Sequence, residues 1–332
     1  MIYRLRIAGR FAALMGLLLL AGCASTPPWP EPESVAGEVV LPNRVLLEDV
    51  PFYAQEKYQC GPASLAMMLN SQGLETDPDV LKELVYIPGR QGSLQVEMVA
   101  GARSHNMVVY PLKPRLADVL EEVSAGNPVL VMQNLLIDWW PQWHFAVVVG
   151  YDSDNETVIL NTDTRKHYAM PYKTFHATWS RAERWAVVVL PPEQVPATAE
   201  PLAFLRAAHD LESTGHTQAA LSAYQTAEQA WPRQPAPIMA QGNLAYGQQQ
   251  WSGALVHFKR VVEQFPKYAE GWNNLAYALD RAGCPAQATS ALSCARALGP
   301  DRFGEEEASF GKEEADGSQS CSALPSCPAS PQ

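Results

Sequence analysis

A 34-residue periodicity in the C-terminal half constrains the fold of this chain more than any other feature. Pro232, Pro266 and Pro300 lie 34 residues apart, and three further sets of positions repeat in the same phase. Those sets are Ala220, Ala254 and Ala288; Tyr224, Phe258 and Leu292; and Ala227, Val261 and Ala295. Small residues alternating with large ones at this period predict helix pairs that bury their apolar faces only on neighbouring pairs.

The segment 201–302 therefore resembles three tetratricopeptide repeats, with Phe204 and Trp272 in the early large position of the first and third units. The resemblance implies an all-α solenoid whose concave face holds an extended polypeptide partner. A spacer or stabilising cap is the alternative. We expect the repeats to be separable from the preceding domain. The acidic tail 303–332, rich in Ser, Gly and Pro, is expected to be disordered.

The segment FYAQEKYQCGPASLAMM, residues 52–68, has the features of a cysteine nucleophile and its helix. Cys60 opens an apolar run with helical spacing, and Gly61 and Pro62 suit the first turn. A thiol at a helix N-terminus beside a histidine becomes a thiolate near neutral pH. The amide of Gln55 can stabilise the oxyanion that forms when a thiolate attacks a carbonyl. A buried structural cysteine is the alternative.

A histidine at the head of a β-forming run supplies a candidate base. His144 opens HFAVVVGYD, and VILNTDT follows as the second strand of a hairpin, with Gly150 to Asp152 expected at the turn. A helix-initial cysteine followed about 84 residues later by a strand-initial histidine is the papain-like arrangement. A hydrogen-bonded core histidine is the alternative.

Together, Gln55, Cys60-Gly61 and His144-Phe145 resemble the papain-like peptidases that process bacteriocin leaders. The likeness covers roughly residues 45–192, and it implies an α+β papain-like cysteine peptidase domain. It also implies that Gln55 is the oxyanion residue, Cys60 the nucleophile and His144 the base.

The third catalytic residue is ambiguous in this sequence. The family usually has an Asp-Pro pair after the second strand, where this chain has Asn161-Thr162-Asp163-Thr164. The residue must accept a hydrogen bond from the imidazole and fix its tautomer. Asp163 can also stabilise the imidazolium, and Asn161 can orient it as an amide. Thr162 is the weakest of the three candidates, and an ordinary turn is the remaining alternative.

The scaffold between the two motifs reads as alternating helices and strands. Helices are expected over 77–86, 91–106 and 116–125, and strands over 108–113 and 129–136. The segment WWPQW at 139–143 stands directly before His144. Its three tryptophans are expected to wall a substrate cleft, with covering of the core edge as the alternative.

The N-terminus predicts export and lipid anchoring. Arg4, Arg6 and Arg10 precede the apolar run 11–20, and Leu-Ala-Gly-Cys closes the segment at Cys23. The pattern is that of a secretory signal over 1–22. It resembles a bacterial lipobox, which implies lipidation of Cys23 and an outer-membrane location facing the periplasm. The Pro-rich segment 23–44 is then an extended tether.

Charge and cysteine content limit the possible partners. The chain carries a net charge of −11 and has no Lys/Arg cluster, which excludes a nucleic-acid-binding role. No CxxC pair or HExxH motif is present, so no metal or other cofactor is expected. Besides Cys23 and Cys60 the chain has four cysteines. Cys321 and Cys327 can pair with each other in the tail, while Cys284 and Cys294, expected on adjacent helices, can be small core residues.

These features predict an exported lipoprotein that cleaves peptide bonds and recruits a polypeptide through its repeats. Two alternatives come from other classes of protein. One is an inactive peptidase-like binding module, which the missing Asp-Pro pair favours. The other is an acyl-transfer enzyme, such as an amidase or transglutaminase, that acts on the cell wall.

Overall fold

The structure, a computed structural model, describes residues 26–29, 41–55, 59–304, 310–311, 321 and 323–328. The signal segment, Cys23 and most of the Pro-rich tether lie outside these residues. None of the helices within the described ranges has both the length and the apolarity needed to cross a membrane.

Seven antiparallel strands form one sheet in the N-terminal half. The strands are β1 (Arg44–Leu46), β2 (Val108–Pro111), β3 (Val129–Asn134), β4 (Trp143–Asp152), β5 (Thr157–Thr162), β6 (Arg165–Pro171) and β7 (Ala186–Leu190). Their order is β2-β7-β3-β4-β5-β6, and β1 pairs with the end of β4. The β4–β5 hairpin is therefore confirmed, but β4 continues through Gly150 to Asp152 instead of turning there. A side chain at Gly150 would lie 2.4 Å from the carbonyl oxygen of Val45, so glycine permits the close approach of β1.

Helices cover both faces of the sheet. They are α1 (Cys60–Ser71), α2 (Pro78–Val85), α3 (Gln95–Arg103), α4 (Leu116–Ser124) and α5 (Tyr172–Ser180), with a short 3₁₀ turn at Pro88–Arg90. Helices α1 to α3 pack on one face, where Leu65, Met98, Phe145 and Val147 share a core. Helices α4 and α5 pack on the other face with Ala146 and Val148. This alternation along β4 buries the strand on both faces and explains its unbroken apolar sequence.

Six consecutive helices follow the sheet. They are α6 (Pro201–Ser213), α7 (Thr217–Ala230), α8 (Ala236–Gly247), α9 (Trp251–Gln264), α10 (Ala269–Arg281) and α11 (Pro285–Leu298), with the short α12 (Pro300–Phe303) behind them. The positions that repeat in the sequence are buried: each alanine at 220, 254 and 288 has 0 % exposure. Phe204 and Trp272 are buried too, and Ile238 occupies the equivalent place in the middle unit. The sequence period thus corresponds to helix pairs packed side by side.

The first helix pair shares a core with the sheet, contrary to the expectation of a separable repeat unit. Phe204, Leu211 and Tyr224 belong to the same buried cluster as Val108 and Val188 of the sheet. The connecting segment is also fixed, because the fully buried Glu122 carboxylate of α4 accepts hydrogen bonds from the N–H groups of residues 197 and 198. A shared core and these hydrogen bonds thus join the two halves, where the sequence analysis expects separable units.

The C-terminal cysteines pair differently from the expectation. Disulfides join Cys284 to Cys321 and Cys294 to Cys327, so each tail cysteine bonds to the repeats rather than to the other. Cys284 is the residue immediately before α11 and Cys294 lies within that helix, so the two do not lie on adjacent helices. The described part of the tail also packs on the last helix pair, where Phe310 meets Tyr277 edge-on with ring centroids 5.8 Å apart. Those tail residues are therefore tied down, and the expectation of disorder is wrong for them.

Candidate active site

Cys60 is the first residue of α1, and its thiol faces the sheet. Apolar side chains bury the helix behind it, with Ala63, Leu65 and Ala66 at 0 % exposure. The backbone N–H groups of Phe145, Gly61 and Cys60 itself point toward the sulfur. Since Phe145 follows His144 on β4, this contact sets the helix N-terminus against the strand that carries the candidate base. Cys60 is the only free cysteine among the described residues.

Gly61 allows another segment to cover the first turn of α1. A side chain at position 61 would lie 2.2 Å from Ser93 Oγ and 3.2 Å from Met98 Sδ. Ser93 Oγ is itself buried without a hydrogen-bond partner in the structure. Glycine after the cysteine is thus a steric requirement, because only glycine leaves room for Ser93 and Met98 against the first turn of α1.

His144 is buried, and its Nε2 atom lies 2.7 Å from Thr162 Oγ1. The same nitrogen is 3.6 Å from Asp163 Oδ1, beyond hydrogen-bond distance. Thr162 is the weakest candidate on chemical grounds, yet it is the residue in contact. The hydrogen bond expected between the imidazole and Asp163 or Asn161 is therefore made by Thr162 instead. A threonine 18 residues after the histidine was visible in the sequence, but the strand geometry that aims its hydroxyl at the ring was not.

The tight β5–β6 turn joins three parts of the site. Thr162 pairs with Arg165 across it, and Asp163 adopts a left-handed backbone conformation with φ 48°. The carbonyl oxygen of Asp163 accepts a 2.8 Å hydrogen bond from the N–H of Gln55. Gln55 Nε2 in turn lies 3.4 Å from Ser64 Oγ, one turn along α1 from Cys60. The turn therefore orients the imidazole through Thr162 and holds the oxyanion candidate beside the nucleophile helix.

Asn161 is not in the contact that the amide alternative requires. Its side chain is fully buried, and its Oδ1 accepts a 3.0 Å hydrogen bond from the backbone N–H of His167. Its Nδ2 is buried without a partner. The side chain thus braces the β5–β6 hairpin, and no contact with His144 is present.

Burial is the largest cause of the pKa shifts of both candidate catalytic groups. Burial raises the pKa of the Cys60 thiol, and this outweighs the backbone N–H groups that favour the thiolate. Burial also lowers the pKa of His144, against the opposing attraction of the Asp163 carboxylate. Both shifts favour the uncharged forms, a neutral thiol and a neutral imidazole, and so oppose the expected formation of a thiolate near neutral pH.

The raised thiol pKa predicts the pH dependence of alkylation. In the chain from residue 24 onward, iodoacetamide should label folded Cys60 more slowly near pH 7 than the unfolded thiol, whose pKa is about 8.5. The rate should rise continuously toward alkaline pH, because the reactive thiolate forms only there. Mass spectrometry of the labelled peptide over a pH series measures this. A rate independent of pH between about 6 and 8 would instead indicate a preformed thiolate–imidazolium pair.

The contact between His144 and Thr162 predicts a ranked effect of substitutions. Thr162→Val removes the hydroxyl while nearly keeping the volume, and it leaves a buried ring N–H unpaired, which costs about 1–3 kcal/mol. We therefore expect turnover to fall about 10- to 100-fold. Asn161→Ala should reduce the melting temperature and leave the turnover of the folded fraction unchanged.

Asp163→Asn is the matched control for charge. Removing the carboxylate should shift the pKa of His144 further down and also lower that of Cys60, because its charge raises both. Thiol labelling at a given pH should then accelerate, whereas Thr162→Val should leave the labelling profile nearly unchanged. A larger loss of turnover in Asp163→Asn than in Thr162→Val would transfer the orienting role to Asp163.

Three comparisons with known proteins bear on this site. Residues 47–187 match the family model described as the Peptidase_C39 like family. No curated protein matches the chain significantly. Among solved structures, the putative C39-like peptidase from Bacillus anthracis is 20 % identical, with a TM-score of 0.37, and the match covers 44 % of this chain and 97 % of that one.

Two other solved structures give comparable values. The peptidase domain of Streptococcus ComA, a bi-functional ABC transporter, is 21 % identical with a TM-score of 0.34, over 42 % of this chain and 96 % of that one. A double glycine motif protease from an AMS/PCAT transporter, in complex with the leader peptide, is 18 % identical with a TM-score of 0.33. That match covers 44 % of this chain and 96 % of that one.

The fold and the family match together define a class of domain. The chain contains an α+β C39 peptidase-like domain within residues 47–187, built on a helix-initial cysteine and a strand-initial histidine. The match supports a cysteine peptidase. The helices that follow the domain lie outside the matched residues.

Proposed function

We propose that this chain is an envelope-anchored thiol peptidase that cleaves a peptide bond in a polypeptide substrate. One observation carries the proposal: the Cys60 sulfur meets the N–H of Phe145, directly beside a buried His144 whose Nε2 is occupied by Thr162. A ring whose Nε2 is held in this way can direct its other nitrogen to the nucleophile.

The proposed reaction proceeds through an acyl-enzyme. His144 takes the Cys60 proton as the sulfur attacks the substrate carbonyl, and the new oxyanion is bound by the Cys60 N–H and the Gln55 amide. Collapse breaks the C–N bond, and His144 donates its proton to the leaving amine. Water, deprotonated by His144, then attacks the thioester and releases the carboxylate with restored thiol. A neutral resting pair suits this cycle, because the proton moves only during attack.

An active peptidase should form a covalent adduct with a peptide that carries an electrophile at its carbonyl. We expect one equivalent on Cys60, identified by mass spectrometry, and much less in His144→Ala, since general-base catalysis contributes about 10²–10⁴-fold. His176→Ala is a matched control, because His176 also has a pKa lowered by burial but lies in α5. Equal adduct yields in both histidine variants would remove His144 from the mechanism.

Two alternatives differ from the peptidase in the substrates that they bind or turn over. A binding module without turnover is favoured by the threonine that contacts His144 where a carboxylate or amide is usual; it would bind peptides and form no acyl-enzyme. An amidase or transglutaminase that acts on the cell wall would turn over muropeptides and not peptides. A screen of peptide against muropeptide substrates separates these outcomes.

Anchoring and recruitment complete the proposal. We infer that a lipid at Cys23 holds the protein at the outer membrane, facing the periplasm, and that the repeats bind a protein partner on their concave face. Metabolic lipid labelling should mark the wild type and not Cys23→Ser. A labelled Cys23→Ser protein that remains in the membrane fraction would contradict the anchor.

A further inference from the structure

The loop between β3 and β4 exposes large apolar side chains immediately before the candidate base. Trp139 is 80 % exposed, Trp140 66 % and Trp143 51 %, with Leu136 and Ile137 at 44 % and 46 %. The tryptophans therefore do not cover the core edge. Exposed apolar side chains grouped in this way mark an interaction surface rather than scattered surface residues. We call residues 135–143 the aromatic loop.

Hydrogen bonds hold the aromatic loop in a defined shape. Asn134 Oδ1 accepts from the N–H of Leu136 at 3.1 Å and from that of Gln142 at 3.0 Å. The N–H of residue 135 donates to the carbonyl oxygen of Gln142 at 2.9 Å, and the Arg181 guanidinium donates to the carbonyl oxygen of Asn134. The exposed rings are therefore presented by an ordered hairpin and keep their exposure without rearrangement.

Helix α5 connects this loop to the region where the proposed lipid anchor enters the domain. Arg181 follows the C-terminal end of α5, and Tyr172 begins it, about 13 Å away along the axis. Trp29 packs edge-on against Tyr172 with ring centroids 5.4 Å apart. Cys23 lies six residues before Trp29, so the chain can place a lipid there at most about 20 Å from the backbone of Trp29.

The same region is basic in an otherwise acidic chain. Residues 165–184, which include β6 and α5, contain five basic residues and one acidic residue, Glu183, whereas the whole chain carries −11. Lys166 and Lys173 are exposed there. Asp138 is the only charged residue of the aromatic loop. The domain thus exposes tryptophans on the aromatic loop and lysines on β6 and α5, and the headgroup zone of an anionic bilayer stabilises both amphipathic rings and cations.

We propose that the aromatic loop is a membrane-docking element that inserts into the headgroup region of an anionic bilayer. The inference draws on the proposed lipid at Cys23, because a membrane surface is then always within reach of the domain. Docking adds a second attachment point and fixes the orientation of the active site. Because His144 follows the loop directly, peptide bonds close to the bilayer surface are the ones presented to Cys60.

The test uses the unlipidated chain from residue 24 onward, which contains every described residue. Flotation with vesicles of phosphatidylethanolamine and phosphatidylglycerol measures binding, and a blue shift of tryptophan fluorescence reports insertion. Trp139→Ser/Trp140→Ser should reduce the bound fraction about tenfold or more. Val80→Ser/Leu84→Ser is the matched control, since these side chains of α2 are 61 % and 51 % exposed, and it should bind like the wild type.

A second pair of variants tests the electrostatic part. Lys166→Glu/Lys173→Glu should weaken binding to the anionic vesicles and have little effect with phosphatidylcholine alone. Melting temperatures should be unchanged in all variants, because every substituted side chain is exposed.

Several outcomes would overturn the docking proposal. Absence of wild-type flotation is one, and equal flotation of the wild type and the tryptophan variant is another. If the tryptophan variant raises KM for a soluble peptide and floats normally, the loop belongs to the substrate cleft. Failure of lipidation at Cys23 appears only in the lipid-labelling experiment, since the vesicle assay uses unlipidated protein.

Discussion

Replacing Cys60 with alanine should abolish peptide-bond hydrolysis. The sulfur is the atom that forms the acyl-enzyme. In peptidases that use a covalent acyl-enzyme, removal of the nucleophile lowers turnover on the order of a million-fold. Turnover of a fluorogenic peptide by the wild type and by the variant, measured at the same pH, gives the comparison. The loss should leave substrate binding intact, because Cys60 contributes chemistry and little contact area.

Cys60→Ser is the matched variant for this measurement. It keeps a nucleophilic atom of similar size, but a hydroxyl is a much weaker nucleophile at the pH of the assay, so its turnover should also be near the detection limit. Melting temperatures of both variants should stay close to that of the wild type. Hydrolysis retained in Cys60→Ala would exclude the acyl-enzyme mechanism, whereas a wild type that binds peptides and never turns over would establish the binding-module alternative.

Removing the entire helical region after residue 200 should unfold the peptidase-like domain. Phe204, Leu205 and Leu211 of α6 and Tyr224 of α7 lie in the core that also contains Val108 and Val188. Burying a large apolar side chain contributes about 1.5–3 kcal/mol, so losing these four removes on the order of 6–12 kcal/mol of stabilisation. That is comparable with the whole stability of a typical domain, about 5–15 kcal/mol.

A truncation after residue 234 is the matched control, because it keeps α6 and α7 and removes the later helices. We expect this shorter protein to fold and to be alkylated at Cys60 like the full chain. Its melting temperature should be moderately lower, because the face of α7 that packs on the later helices is then exposed. Thermal unfolding by circular dichroism and the alkylation rate of Cys60 are measured for both truncated proteins. A folded, fully reactive protein ending at residue 200 would show that the repeats are a separable unit after all.

Local sequence patterns predicted the helices and strands well. The helix that begins at Cys60, the β4–β5 hairpin and the buried positions of the 34-residue period all follow from the spacing of apolar residues, and the structure contains them. Periodicity is a property of neighbouring residues, so the sequence alone carries it. The predicted helix over 91–106 is shorter in the structure, Gln95–Arg103, because Gly92 and Ser93 turn toward the first turn of α1.

Contacts between distant segments were harder to predict. Asp163 and Asn161 were the chemically preferred partners of the histidine, yet the hydroxyl of Thr162 is the one in contact with it. The register of β5 against β4 and the left-handed turn at Asp163 decide which of the three consecutive residues points at the His144 ring. Neither feature can be read from the composition or from the spacing of residues. The disulfide partners depend equally on where the tail folds back.

The sequence by itself determined the kinds of element, the candidate nucleophile and base, and the repeat period, because each rests on residues close together in the chain. The tertiary structure alone decided the direction of the pKa shifts of Cys60 and His144, the contact of Thr162 with the imidazole, and the single core that joins the sheet to the first helix pair. Desolvation, side-chain direction and shared burial each depend on atoms brought together from distant parts of the chain. No pattern of neighbouring residues specifies that environment.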